Sequence, residues 1–158
     1  MELIIYGLYT FLAAYNAGNM MSLQIQHYGI YPFVGKDSFK SYMSANNKAA
    51  FIPAVLPGFL MLILSIILLF LRPPFMTTLE TSMSLALNII AFISTIKWQR
   101  KLQSDMANTG YDAMKIKLLL STNWIRTIAF ILLGVLTISI LIMAVPKEGA
   151  HTVNIMSY

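Results

Sequence analysis

The chain has 158 residues, of which 58% are apolar and 11% charged, with a mean hydropathy of +0.70 and a formal net charge of +5. These values exclude an ordinary soluble domain and place the chain in the membrane class, with room for four crossings of about 20 residues each but none for a separate soluble domain. There is no cysteine, so disulfides, iron–sulfur clusters and thiolate zinc sites are excluded. The basic residues stand at the ends of apolar segments, which explains the charge by membrane topology and argues against nucleic acid as a partner.

The segment from Leu3 to Gly35 holds no Lys, Arg, Asp or Glu. Nothing basic precedes the apolar run of MELIIYGL and no small-residue cleavage site follows it, so it reads as a retained span, over about 3–29, and not a signal peptide. At 100° per residue, Asn16 and His27 lie about 20° apart on the helical wheel, and Asn19, Gln24 and Tyr31 fall within about 80° of Asn16. Lipid cannot satisfy such a face, which must turn toward protein. Tyr31-Pro32 should end the helix, because proline lacks the donor and restricts the residue before it. The connector 36–48 should lie on the membrane surface as one or two turns capped by Asp37 or Ser38, with Phe39 and Tyr42 on one side.

Ala54–Leu71 is 18 residues without a charge, 13 of them Val, Leu, Ile or Phe. Those residues favour insertion by roughly 4 to 8 kcal/mol before Pro57, Gly58 and Ser65 are counted. This second span covers about 51–71. Pro53 suits a first turn, whereas Pro57 should bend or loosen the helix. Arg72-Pro73-Pro74 stops it. Thr77 or Thr78 then caps a third helix, with Glu80 near its favourable dipole end. The third span covers about 79–103, and on it Ser84, Asn88, Thr95 and Gln99 fall within about 60° of one another. The helix should continue into water and stop at Asn108-Thr109-Gly110. A fourth helix begins near Asp112 and spans about 115–145, with Asn123, Thr127, Gly134 and Thr137 on one face. Residues 146–158 form a polar tail.

Orientation follows from counting. Lys36, Lys40, Lys48, Lys97, Arg100, Lys101, Lys115 and Lys117 lie in the loops before spans two and four, against Arg72 and Lys147 on the other side. Loops 30–50 and 97–117 are therefore expected in the cytoplasm and both termini outside. Short connections force neighbouring helices antiparallel, so the expected fold is all-α: an up-down antiparallel four-helix transmembrane bundle.

That packing gathers Gln24, His27, Tyr31, Thr95, Gln99, Asn123 and Arg126 at the cytoplasmic mouth, near Pro57, with Asn16 and Asn88 deeper. A pocket so lined suits a planar, oxygen-bearing lipophile. His27 is the candidate general base, since an imidazole titrates near neutrality, and Arg126 is the candidate holder of an anionic oxygen. The same residues also fit a plainer role. Amides and hydroxyls between spans are ordinary interhelical hydrogen-bonding groups worth about 0.6 kcal/mol each, Arg126 can snorkel, and Trp98 and Trp124 can anchor at the interface. No metal site is expected, because no carboxylate stands near His27 by spacing and His151 is in the tail. There is no phosphate-binding glycine loop, nucleophile elbow, pore-forming charge ring or inverted repeat.

The run YPFVGKDSFKSYMSANNKAAFIPAVLPGFLM, with LLLSTNWIRTIAF later in the chain, resembles a family of small four-helix membrane proteins related to the anthrone oxygenases. Tyr31, Pro32, Phe39, Tyr42, Pro57, Asn123, Trp124, Arg126 and Thr127 carry the resemblance. It implies oxidation of a phenolic polyketide by dioxygen. The pattern also leads one to expect His in the connector and at the end of the third helix, where this chain has Met43, Asn46 and Gln99. A Glu expected in the second span is replaced by the run Met61, Leu62 and Ile63. Two functions follow. The first is a bundle that binds a lipophilic small molecule or a partner span, in the bilayer and with a second copy or another membrane protein as companion. The alternative is an anthrone-oxygenase-like enzyme with His27, Gln99, Asn123 and Arg126 in its site. The sequence names no cofactor.

Overall fold

The computed structural model describes residues 1–144; the tail 146–158, with His151 and Lys147, lies outside them. The described residues are helical with no strand. The α-helices are α1 (Glu2–Ser22), α2 (Phe39–Ala49), α3 (Leu56–Phe70), α4 (Thr78–Ser94), α5 (Lys101–Thr109) and α6 (Ala113–Ala144). Three π-helical turns interrupt or extend them, at Leu23–His27, Phe51–Val55 and Thr95–Arg100, and a 3₁₀ segment covers Tyr28–Phe33.

Among the described residues, three helical stretches are long and apolar enough to cross a membrane: Phe51–Phe70, Thr78–Thr109 and Ala113–Ala144. The first predicted span is not among them, because Tyr6, Tyr9, Asn16 and Asn19 dilute its apolar residues. The outer faces of α3, α4 and α6 expose Phe59, Ile63, Ile66, Ile90, Ile93 and Leu132. A face of that kind is stable in hydrocarbon and a liability in water.

Each of the four long helices packs on two others: α1 on α6 and α3, and α4 on α6 and α3. Small residues let α1 and α6 approach closely. A Cβ on Gly134 would meet Ala17 Cβ at 3.5 Å and the Ala13 carbonyl at 3.7 Å. Buried polar groups tie the helices across: the Tyr6 hydroxyl donates to the Thr137 carbonyl at 2.8 Å, and Asn88 Nδ2 donates to the Tyr9 hydroxyl at 2.8 Å. A second apolar cluster, around Tyr28, Phe39, Met43, Met106 and Leu119, sits where α2 packs on α5.

The helix ends follow local chemistry. Thr77 caps α4 in a full capping box: its hydroxyl accepts from Glu80 N, and Glu80 Oε2 accepts from Thr77 N at 2.7 Å. Asp112 Oδ1 accepts from the backbone N–H of Met114 and Lys115, opening α6. Gly110 ends α5 at φ +90°, a conformation that favours glycine. Two expectations need correction. The connector is an 11-residue helix, and neither Asp37 nor Ser38 caps it with a side chain; burial of Phe39 and Met43, four residues apart, drives it further than one or two turns. The first helix also does not end at Tyr31-Pro32. Its α-helical part stops at Ser22, and Pro32 lies inside the 3₁₀ segment, where the chain turns extended only at Val34. Pro32 is next to last in that segment, so its missing N–H removes a single bond at the end of the helical run.

Pro57 explains the turn below α3. Without an N–H it leaves the Pro53 carbonyl unserved, and that carbonyl accepts instead from the Tyr15 hydroxyl at 2.9 Å and Asn19 Nδ2 at 2.7 Å, both on the first helix. The π-turn itself closes through Val55 N to the Ala50 carbonyl at 3.4 Å.

Candidate functional site

The three π-turns lie at one end of the molecule, the end that carries the lysines of the connector and of the α5 region. They border a cleft of about 200 Å³. Asn19, Leu23, His27 and Tyr28 line it from the first helix, and Asn46, Ala49 and Ala50 from α2. Pro53, Ala54 and Val55 line it from the second π-turn; Thr95, Gln99, Arg100 and Gln103 from the third and the start of α5; and Arg126 from α6. π-turns re-aim the side chains around them and recur at functional sites.

Arg126 is the most constrained of these groups. It is only 6% exposed. Its Nε donates to Asn123 Oδ1, and its Nη2 donates to the Tyr28 hydroxyl at 2.6 Å. Both partners are neutral, and Nη1 donates to no described residue. Asn123 Nδ2 donates to Gln24 Oε1 at 2.6 Å, and Gln24 Nε2 donates to the Leu120 carbonyl at 3.1 Å. Gln103 Nε2 also donates to the Tyr28 hydroxyl, at 2.9 Å. The guanidinium is thus held by a chain of neutral dipoles.

Gln99 lies opposite. Its Nε2 donates to Thr122 Oγ1 at 3.1 Å, while the Thr122 hydroxyl gives its own proton to the Leu118 carbonyl at 2.7 Å. Thr122 therefore has only a lone pair to offer, which fixes the Gln99 amide in this orientation. Gln99 Oε1 is then buried without a partner among the described residues.

His27 meets Asn46 and Tyr31. Nε2 lies 2.9 Å from Asn46 Oδ1 and 3.3 Å from the Tyr31 hydroxyl, and Asn46 Nδ2 donates to that hydroxyl at 3.0 Å. With the Asn46 amide so oriented, its oxygen calls for a proton on Nε2, and Nδ1 keeps the lone pair. Burial, with the neighbouring Tyr28 and Tyr42 phenols, pushes the Tyr31 phenol well above its ordinary value, so it stays protonated.

His27, Thr95, Gln99 and Arg126 thus share the cleft, although Thr95 gives its hydroxyl proton to the Ala91 carbonyl. Gln24 and Asn123 stand behind Arg126, and Tyr31 stands behind His27. Asn16 and Asn88 lie elsewhere: Asn16 Nδ2 donates to the Leu12 carbonyl and reaches Met61 Sδ at 3.6 Å, and Asn88 bonds Tyr9 and its own Ser84 carbonyl. Tyr28, Asn46 and Gln103 belong to the site and were not picked out from the sequence as site residues. Tyr28 carries no local motif that marks it off from the other tyrosines of the first helix. Asn46 and Gln103 sit on α2 and α5, whose pairing no periodicity announces. Asn46 and Gln99, at places where the family resemblance leads one to expect His, both line the cleft. Among the described residues, no group of three or more His, Asp or Glu is placed to hold a metal ion.

No protein-family model, no curated protein and no solved structure matches the chain.

Proposed function

We propose that this chain is a four-span integral membrane protein, an up-down bundle of α1, α3, α4 and α6, whose polar interior at the basic, cytoplasmic end binds a lipophilic small molecule. One observation carries this: a cleft of about 200 Å³ bordered by three π-turns and lined by polar groups of different kinds, of which Gln99 Oε1 is buried without a partner among the described residues and Arg126 Nη1 donates to none. The cyclic packing of the long helices supports the bundle, and the exposed Leu3, Ile4, Leu8 and Phe11 give α1 a lipid-compatible outer face. A partner helix, about 10–12 Å across with its side chains, does not fit a cleft of this volume.

The test uses protein purified in mild detergent and analysed by mass spectrometry for co-purified lipophiles, beside Ala50→Phe, which fills the cleft from a half-buried position. Wild type should retain a lipophile in near-stoichiometric amount and Ala50→Phe should lose it at unchanged melting temperature. Equal retention by both proteins refutes the reading.

The second reading, an anthrone-oxygenase-like enzyme oxidising a planar phenol with dioxygen, is favoured by the lone-pair Nδ1 of His27 on the cleft wall. A general base there would take the phenolic proton. His27→Ala would then abolish turnover of an added phenol while leaving binding intact.

A further inference from the structure

The cleft has a sign. Two arginines line it, Arg126 from its buried end and Arg100 from its exposed rim, and no Asp or Glu does. Arg126 is the telling one. Burying a guanidinium is costly unless its donors are met, and an ion pair is the usual partner. Here its two hydrogen bonds go to a neutral amide and a phenol, and Nη1 donates to no described residue. The site is built for this geometry: Gln24 fixes Asn123, which fixes Nε, while Gln103 fixes Tyr28, which fixes Nη2. The fork is therefore held still with one edge unfilled, which is the arrangement that receives an anionic oxygen. The other side of the rim is apolar, with exposed Pro53 and Val55. A molecule that satisfies both sides has an oxyanion at one end and a hydrocarbon body at the other.

We infer that the ligand of this cleft is an acidic amphiphile, whose oxyanion sits on Arg126 Nη1 and whose apolar body leaves past Pro53 and Val55. Gln99 Oε1, a buried acceptor in the same lining, suits a ligand that also carries a hydroxyl or other donor. The inference rests on the binding role proposed above and narrows it from any lipophile to an anionic one. Basic pockets between spans on the cytoplasmic side are suited to such headgroups. The same chemistry could come from the bilayer, as a phosphatidylglycerol headgroup, or from a free acid.

The test is native mass spectrometry of the full chain released from a neutral detergent, titrated with dioleoylphosphatidylglycerol, with oleate, and with oleyl alcohol as the uncharged counterpart of oleate. Wild type should bind at least one of the two anions, and should bind it about 10- to 100-fold more weakly after Arg126→Gln, the range that losing a hydrogen bond to a charged group implies. Oleyl alcohol should not respond to Arg126→Gln. Because Arg126→Gln also frees Asn123 and Tyr28, two further variants accompany it. Arg126→Lys keeps the charge and should retain most of the binding. Gln99→Glu places a carboxylate in the same cleft and should weaken anion binding while leaving the protein folded. Phosphatidylglycerol binding names the bilayer as the source, and oleate binding alone names a free acid. Equal binding of oleate and oleyl alcohol, both untouched by Gln99→Glu, overturns the inference but leaves the lipophile site standing. Failure of every probe, with no lipophile retained from the cell, overturns both.

Discussion

The joint between the first helix and α3 offers a sharp test of how this protein handles a proline in hydrocarbon. Pro57 removes the N–H that would serve the Pro53 carbonyl, and Tyr15 and Asn19 reach across from the first helix to serve it at 2.9 and 2.7 Å. If that compensation is the reason for these contacts, their worth must depend on Pro57. A hydrogen bond contributes about 0.6 kcal/mol on average between spans and about 1 kcal/mol in water-soluble proteins. Tyr15→Phe with Asn19→Ala should therefore cost about 1 to 2 kcal/mol. In a Pro57→Ala background, the backbone N–H restored at that position supplies the Pro53 carbonyl from within the helix, and the same pair should cost about half as much. The coupling expected from the cycle is about 0.5 to 1 kcal/mol. Reversible unfolding of the four proteins in mixed micelles, followed by far-ultraviolet circular dichroism, measures it. Additivity within about 0.3 kcal/mol would show that the two side chains hold the helices together for some other reason.

Three further outcomes follow from the packing. Asn123→Leu strips a charge-assisted partner from Arg126 and a donor from Gln24, and should cost about 2 to 4 kcal/mol, whereas Asn88→Leu loses only a bond to Tyr9 and one to its own helix and should cost about 1 kcal/mol; the same unfolding assay ranks them, and the reverse order would refute the central place given to Asn123. Gly134→Leu drives a side chain into Ala17 and the Ala13 carbonyl, and should separate α1 from α6, seen as lost monodispersity in size-exclusion chromatography, while Gly7→Ala, with open space at its Cβ, should do nothing. The chain lacks cysteine, so a single introduced one is a unique label. In sealed cells an impermeant maleimide should label Pro74→Cys and not Ser104→Cys, and the opposite result would invert the proposed topology.

Much of the architecture was legible because its signals are local. The cap of α4, which the sequence leaves between Thr77 and Thr78, the Asp112 cap and the Gly110 stop depend on neighbours within a few residues, and the apolar runs of the second and fourth spans depend on composition alone. What was not legible depends on register. A wheel drawn at 100° per residue assumes unbroken α-helix, and the π-turns at Leu23–His27 and Thr95–Arg100 break it at the residues that matter, Gln24, His27 and Gln99. His27 and Gln99 were still placed at the correct end, because depth survives a change of register, but their partners could not be read. The place of Asn46 depends on α2 being a full helix, and that of Tyr28 on its hydroxyl lying between Arg126 and Gln103.

The weightiest rival to a binding site is that these polar groups simply hold the helices together, and the hydrogen bonds allow the two roles to be separated. Several amides at this end are spent on main-chain carbonyls of other helices: Asn19 on Pro53, which Pro57 leaves open, Gln24 on Leu120, and Asn47 on Gln103. Deeper, Asn88 and Tyr6 do the same work between α1, α4 and α6. Holding helices together accounts for these donors, since each finds an acceptor on a neighbouring helix. Among the groups that line the cleft, what remains is a guanidinium edge on Arg126, an amide oxygen on Gln99 and an imidazole nitrogen on His27, one cationic donor and two acceptors on three different helices; the other buried oxygens without a partner among the described residues, on Thr10, Asn16, Asn47, Ser84 and Ser94, do not line it. Of the three, Gln99 Oε1 is fully buried, and leaving it unpaired costs about 1 to 3 kcal/mol. A purely cohesive interior would be more stable with Leu or Met in place of Gln99. The pattern is the one expected when the missing partners belong to a ligand.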